Sequence, residues 1–104
     1  MKANRFHILA ALAEEDLHGL GIVRNVLDQT DGSLRLWPAT LYGSLEALAE
    51  EGFLRELKDD EVPRDVSAQR RYYRLTRKGR EALRDEANRM TTLAAVVLER
   101  LERA

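Results

Sequence analysis

Hydrophobic residues recur along the chain with two periods, and the point where one gives way to the other organises it. Over the first fifty residues the period is helical. A first helix is expected from Asn4, as its cap, to about Glu14, with Phe6, Leu9, Leu12 and Ala13 facing inward. After the polar break Glu14-Glu15-Asp16, a second helix runs from about His18 to Asp28. It carries Leu20, Val23 and Leu27 on one side and Ile22 and Val26 beside them. Gly19 and Gly21 weaken its start by about 1 kcal/mol each relative to alanine; glycines so placed let another part of the chain approach closely. Thr30-Asp31-Gly32-Ser33 is a turn, and Leu34-Arg35-Leu36 reads as a very short strand.

The third helix is the most telling stretch. Pro38 suits a first helical turn, where its missing N–H costs nothing, and Gly52 stands just past the C-terminal end. Leu41, Leu45 and Leu48 fall on one face, and Thr40, Gly43, Ser44 and Ala47 form the opposite one. A helix exposed to water usually carries Lys and Glu there, so a smooth outer face predicts that something comes close. Burial of the helix on both sides would give the same pattern.

Beyond Gly52 the period becomes two. Phe53–Lys58 and Gln69–Leu75 read as strands, joined by a polar loop, Asp59–Ala68, that contains Pro63. Thr76 then caps a final helix in which Leu83, Ala87, Met90, Ala94, Val97 and Leu101 alternate spacings of four and three. That is a heptad seam, expected to be a dimer interface with a second copy; a last helix folded back on its own core is the competing arrangement. The order of elements is that of a mainly α fold with a small β-hairpin (α+β), a winged helix-turn-helix followed by a long C-terminal helix. Residues 1–76 are expected to form a DNA-binding unit and residues 77–104 a dimerisation helix within the same compact body.

Composition sharpens this picture in three places. The absence of cysteine among the 104 residues removes disulfides, thiolate metal sites and cysteine nucleophiles, and fits a cytoplasmic location. The longest apolar runs, Ile8–Ala13 and Leu93–Leu98, are too short for a membrane span, so no membrane association is expected. The net charge of −1 hides a polarised molecule: residues 1–69 hold 7 basic and 13 acidic side chains, residues 70–104 hold 10 and 5. Six of the eleven residues from Arg70 to Arg80 are basic, which suits phosphate neutralisation.

The residues carrying these features resemble the PadR family of transcriptional regulators. Ile8-Leu9 with Leu12, then His18-Gly19 and Ile22, are similar to its first two helices. Pro38-Ala39-Thr40-Leu41-Tyr42-Gly43-Ser44-Leu45 resembles its Gly-Thr-Leu-Tyr-Gly-Ala-Leu stretch at the start of the recognition helix. Leu48 with Glu51-Gly52-Phe53-Leu54 resembles the entry to the wing, and Arg70-Arg71-Tyr72-Tyr73-Arg74-Leu75-Thr76 with Gly79 and Leu83 its exit. The resemblance implies a dimeric DNA-binding regulator, usually a repressor, of the short type with one C-terminal helix. It also leaves room for a small-molecule effector, to which no residues are assigned here. The chain departs from the family in lacking a basic residue near Glu46–Ala47 and in its acidic Asp59-Asp60-Glu61 at the wing.

The expected DNA-binding residues are therefore Pro38, Ala39, Thr40, Tyr42, Gly43 and Ser44 of the third helix, with Arg70 and Arg71 at the wing. Arg64 in the loop and Lys2 and Arg5 at the flank complete the set. Tyr42 would offer its hydroxyl to a phosphate or else pack against the second helix. Trp37 is expected to cover the short strand and the helix start, a contact near DNA or one wall of a ligand pocket being the alternatives, and His18 to satisfy backbone groups at the start of its own helix. Without a Ser/His/Asp order, a glycine-rich phosphate loop or His-x-x-x-His spacing, no catalytic residue, metal or cofactor is expected. A winged helix that binds another protein, through the acidic N-terminal part, is the alternative class. The expected partner is a pseudo-palindromic duplex operator, with half-sites about 10 bp or a multiple apart.

Overall fold

The computed structural model describes residues 1–63 and 70–103. Three helices, α1 (Ala3–Glu14), α2 (Gly19–Gln29) and α3 (Pro38–Glu50), pack around one core. A three-stranded antiparallel sheet flanks it, and the long helix α4 (Arg77–Arg103) follows. The strands are β1 (Leu17–His18), β2 (Leu54–Glu56) and β3 (Tyr72–Leu75), in the order β1-β3-β2. This is the expected winged helix-turn-helix with its C-terminal helix. Among the described residues no helix is long and apolar enough to cross a membrane.

The core follows the periodicity. Leu41, Leu45 and Leu48 of α3 meet Ile8, Leu9 and Leu12 of α1 and Ile22 and Val26 of α2, under Leu54, Tyr73 and Leu75 of the sheet. Each such side chain contributes about 1.5–3 kcal/mol by leaving water. Phe6 and Ala13 are only half-buried, Ile8 and Ala11 taking the innermost positions of α1, and Leu20 lies exposed on α2.

Two expectations about local structure are corrected. Helix α1 begins two residues early: the Lys2 carbonyl accepts from the Phe6 N–H at 3.1 Å, and Asn4 lies inside the first turn rather than capping it. Leu34-Arg35-Leu36 is not a strand. Both sides of β3 are already paired, with β1 in register Leu17 with Tyr73 and His18 with Tyr72, and with β2 on the other side. Leu36 instead anchors the extended link by burying its side chain in the core.

The end of α3 and the start of α4 are clamped together. Gly52, at φ +83°, closes α3: its N–H donates to the Ala49 carbonyl at 3.0 Å, and the Phe53 N–H to the Leu48 carbonyl at 2.9 Å. The Thr76 hydroxyl donates to the Gly52 carbonyl at 2.6 Å and accepts from the Gly79 N–H at 3.0 Å, so one side chain ends one helix and caps the next. Gly79 lies so close to Phe53 that a Cβ there would come within 1.8 Å of the Phe53 carbonyl oxygen.

Candidate nucleic-acid interface

Helix α3 turns its small-residue face outward. Pro38, Ala39, Thr40 and Gly43 are exposed, Ser44 and Ala47 are half-buried, and a Cβ at Gly43 would meet nothing within 4 Å. Packing supplies the reason: the leucine face is fully used by the core, leaving the other face to solvent. Backbone at Gly43 is therefore open to close approach by a ligand.

Two concave surfaces flank this face. One, between the start of α1 and α3, is lined by Lys2, Arg5, Ala39, Thr40, Gly43 and Ser44 among others. Six of the residues singled out from sequence thus share one groove. The other lies between α2, α3 and the residues leading into β3, and is lined by His18, Gly19, Leu20, Tyr42, Arg70 and Arg71. Tyr42, half exposed, reaches over Gly19, where a Cβ would sit 2.6 Å from its hydroxyl oxygen. The hydroxyl end of its ring thus packs on α2, the second of the two positions expected for it, while Tyr42 also lines the groove. Arg64 lies outside the described residues.

The basic cluster divides by how each guanidinium is held. Arg55 and Arg74 stand opposite one another across the β2–β3 pair, an arrangement that like charges disfavour. Glu61 relieves it by bonding Arg55 at 2.9 and 2.7 Å and Arg74 at 3.2 Å, while Asp16 takes three further bonds from Arg74 at 2.8–3.2 Å. Arg74 is committed to that network and is not free to meet a phosphate. Glu61 in turn is not a repelling charge at the wing. The Arg55 hydrogen bond and the Lys58 backbone N–H push its pKa down to about 2. What the Glu61 pairs add to the wing base is present above the ordinary carboxylate range and lost only as pH falls towards that value.

Other cations are held more loosely. Arg5 pairs with Glu51 at 2.7 Å, partly exposed, and Arg71 pairs with Glu56, more fully exposed. Exposed pairs of this kind contribute about 0–1 kcal/mol, so a phosphate can displace either carboxylate. Lys78 donates to the Glu51 carbonyl at 2.7 Å and lies over the Phe53 ring, reinforcing the α3–α4 clamp.

Trp37 does not cover the helix start. It is 62% exposed, at the residue preceding α3, with the Arg35 guanidinium 5.0 Å from its ring centre. Leu36, its neighbour, fills the core position instead.

Along α4, Leu83 packs against the chain's own core, whereas Ala87 and Ala94 are exposed. Met90, Leu93, Val97, Leu98 and Leu101 lie between 45% and 66% exposed. With about 1.5 Å of rise per residue the helix runs on the order of 40 Å, and the molecule extends 57 Å along its longest axis. The competing arrangement, in which the helix folds back on its own core, is absent over this apolar part.

Sequence reasoning assigned His18 a local role, and its Nδ1 does accept from the Gly21 N–H at 3.1 Å. It missed that His18 and Gly19 face the second groove. The signal available was their position at a helix start within reach of Tyr42, which spacing alone does not reveal.

Residues 8–85 match the profile described as the transcriptional regulator PadR-like family. A 37.1 kDa protein of a transposon from Streptomyces fradiae is 36% identical over 92 residues, 88% of this chain and 24% of that protein, so the chain spans about a quarter of its length. A PadR family transcription regulator from Clostridium difficile superposes with a TM-score of 0.75 at 19% identity, covering 93% of this chain and 96% of the other. Bacillus subtilis PadR in complex with operator DNA gives 0.68 at 21%, covering 83% and 47%.

Proposed function

Because the chain belongs to the transcriptional regulator PadR-like family, we propose that it is a homodimeric repressor that reads a pseudo-palindromic operator with α3 and holds the backbone through the two flanking grooves. The observation that carries this reading is the exposed, small-sided face of α3 set between two cation-bearing surfaces. Thr40 and Ser44 offer hydroxyls and a methyl to base edges, and Gly43 lets the helix lie deep in the major groove. Lys2 and Arg5 on one side and Tyr42, Arg70 and Arg71 on the other meet phosphates and set the register, with Arg64, outside the described residues, proposed from sequence to join them.

Dimerisation is proposed through Leu83, Ala87, Met90, Ala94, Val97 and Leu101, Leu83 also serving its own core. Five large apolar side chains left in solvent on one helix support it, since a second copy would bury them. Bound at a promoter, the dimer would occlude polymerase. A ligand or partner that changes the angle between the two α3 helices would release it.

An electrophoretic shift with the duplex upstream of its own gene tests the reading. Binding is expected to weaken steeply with salt, as several released counterions require. Replacing Arg70 and Arg71 together with Ala is expected to weaken all duplexes alike, by about ten-fold or more at low salt, and to flatten the salt slope by about two contacts. No shift at low salt would turn the reading towards a protein-binding module, and sequence-selective loss in the double variant would mean that these arginines read bases.

A further inference from the structure

In the second groove the exposed Arg70 side chain is set against His18 with hydrogen-bonding groups that do not match. His18 Nδ1 accepts from the Gly21 N–H at 3.1 Å, and His18 Nε2 stands 3.0 Å from Arg70 Nη1. A neutral imidazole has one acceptor nitrogen, and a guanidinium only donates. Gly21 is backbone in the first turn of α2 and cannot turn away, so Nδ1 is the acceptor and the proton sits on Nε2. Two N–H groups therefore face one another, from His18 and from Arg70. An anionic oxygen accepting from both would remove the clash. Tyr42, whose hydroxyl lies over Gly19, brings a third donor to the same groove, and the start of α2 adds partial positive charge.

We propose that His18, Arg70 and Tyr42 form a seat for a single phosphate oxyanion, filled by one backbone phosphate of the duplex, and that filling it draws a proton from solvent onto His18. Only the identity of the occupant rests on the DNA-binding reading. The groups facing His18 are Arg24 from α2, Arg70 and Arg71 ahead of β3, Tyr42 from α3 and the edge-on ring of Tyr72 at 5.2 Å. In the free protein, burial first and then the Arg70 and Arg24 charges hold the His18 pKa below its ordinary value. A bound phosphate reverses the sign of the local field and favours imidazolium, which keeps the Nε2–H that the phosphate uses. Imidazolium also carries an N–H on Nδ1, so the ring has to turn from the Gly21 amide towards the phosphate; the new contact offsets that lost bond because bonds between ionised partners are about twice as strong as neutral ones. Proton uptake on binding makes affinity rise as pH falls from the bound-state pKa to the free-state one, and level off below.

The test uses His18→Asn, which keeps a side-chain acceptor for the Gly21 N–H and so preserves the start of α2, and Arg70→Gln. For the whole protein and a labelled duplex from its own upstream region at low salt, affinity is expected to tighten about five-fold between about pH 8 and about pH 6. His18→Asn should bind with no such slope. In parallel, inorganic phosphate is expected to move the His18 imidazole ¹⁵N resonances in the unaltered protein and not in Arg70→Gln. A duplex bound with the same affinity at both pH values, or an undiminished slope in His18→Asn, overturns the seat. If no duplex binds while inorganic phosphate still moves His18, the seat stands and the DNA reading falls. If neither binds there, the seat is overturned.

Discussion

Replacing Met90 and Val97 together with Glu is expected to yield a protein that sediments as a monomer while keeping its fold. Both side chains are half exposed in the single chain and stand at positions seven apart on the seam, so they touch little of their own protomer. In a paired helix they would be enclosed, and four carboxylates per dimer would enter an apolar interface. Burying a charge without a partner costs several kcal/mol each, which exceeds what an interface of this length retains. Helical content should be unchanged, and affinity for an operator should fall by about a hundred-fold, because each half-site would bind without its linked neighbour. A variant that stays dimeric would show that the chain pairs through another surface.

Gly79→Ala is expected to have the largest effect on stability of any single methyl addition. The new Cβ would meet the Phe53 carbonyl oxygen at 1.8 Å, its carbon at 2.7 Å and Leu75 Cδ1 at 2.8 Å. The oxygen and carbon are backbone and cannot rotate aside, and the Phe53 oxygen is also the acceptor for the Thr76 N–H at 3.1 Å. Overpacking of a yielding site costs about 1–3 kcal/mol; here about 3 kcal/mol or more is expected, read from denaturant midpoints at fixed protein concentration. In the proposed dimer the clamp would also link the pairing helix α4 to the reading helix α3. Relaxing it should change the spacing of α3 helices in the dimer, and so reduce affinity even where the variant remains folded. Unchanged stability would mean that α4 does not begin where Gly79 places it.

The helices were legible because each carries its own signal. Leu41, Leu45 and Leu48 specify the buried face of α3, and Pro38 and Gly52 mark its ends through backbone chemistry that needs no tertiary partner. The strand Leu17–His18 was not legible. Two residues have no period, and what makes them a strand is the free edge of β3, fifty-odd positions away. The outward position of Trp37 was not legible for a related reason: adjacent side chains in extended chain point opposite ways, and only the core decides that Leu36 turns in. The basic run Arg70–Arg80 reads as one patch, yet Asp16 and Glu61 withdraw Arg74 from it across long sequence separations. The family's stretch at Thr40–Ser44 pointed to the exposed face of α3, whereas the opposition of His18 and Arg70 requires coordinates.

The most direct measurement is a hydroxyl-radical footprint on duplexes that the protein retains from a random-sequence pool. Two copies pairing through α4 and each offering α3 to the major groove should enrich an inverted repeat. They should protect two patches related by two-fold symmetry, centred about 10 bp or a multiple apart. Failure to enrich any sequence, or one unsymmetrical protected patch, would contradict it.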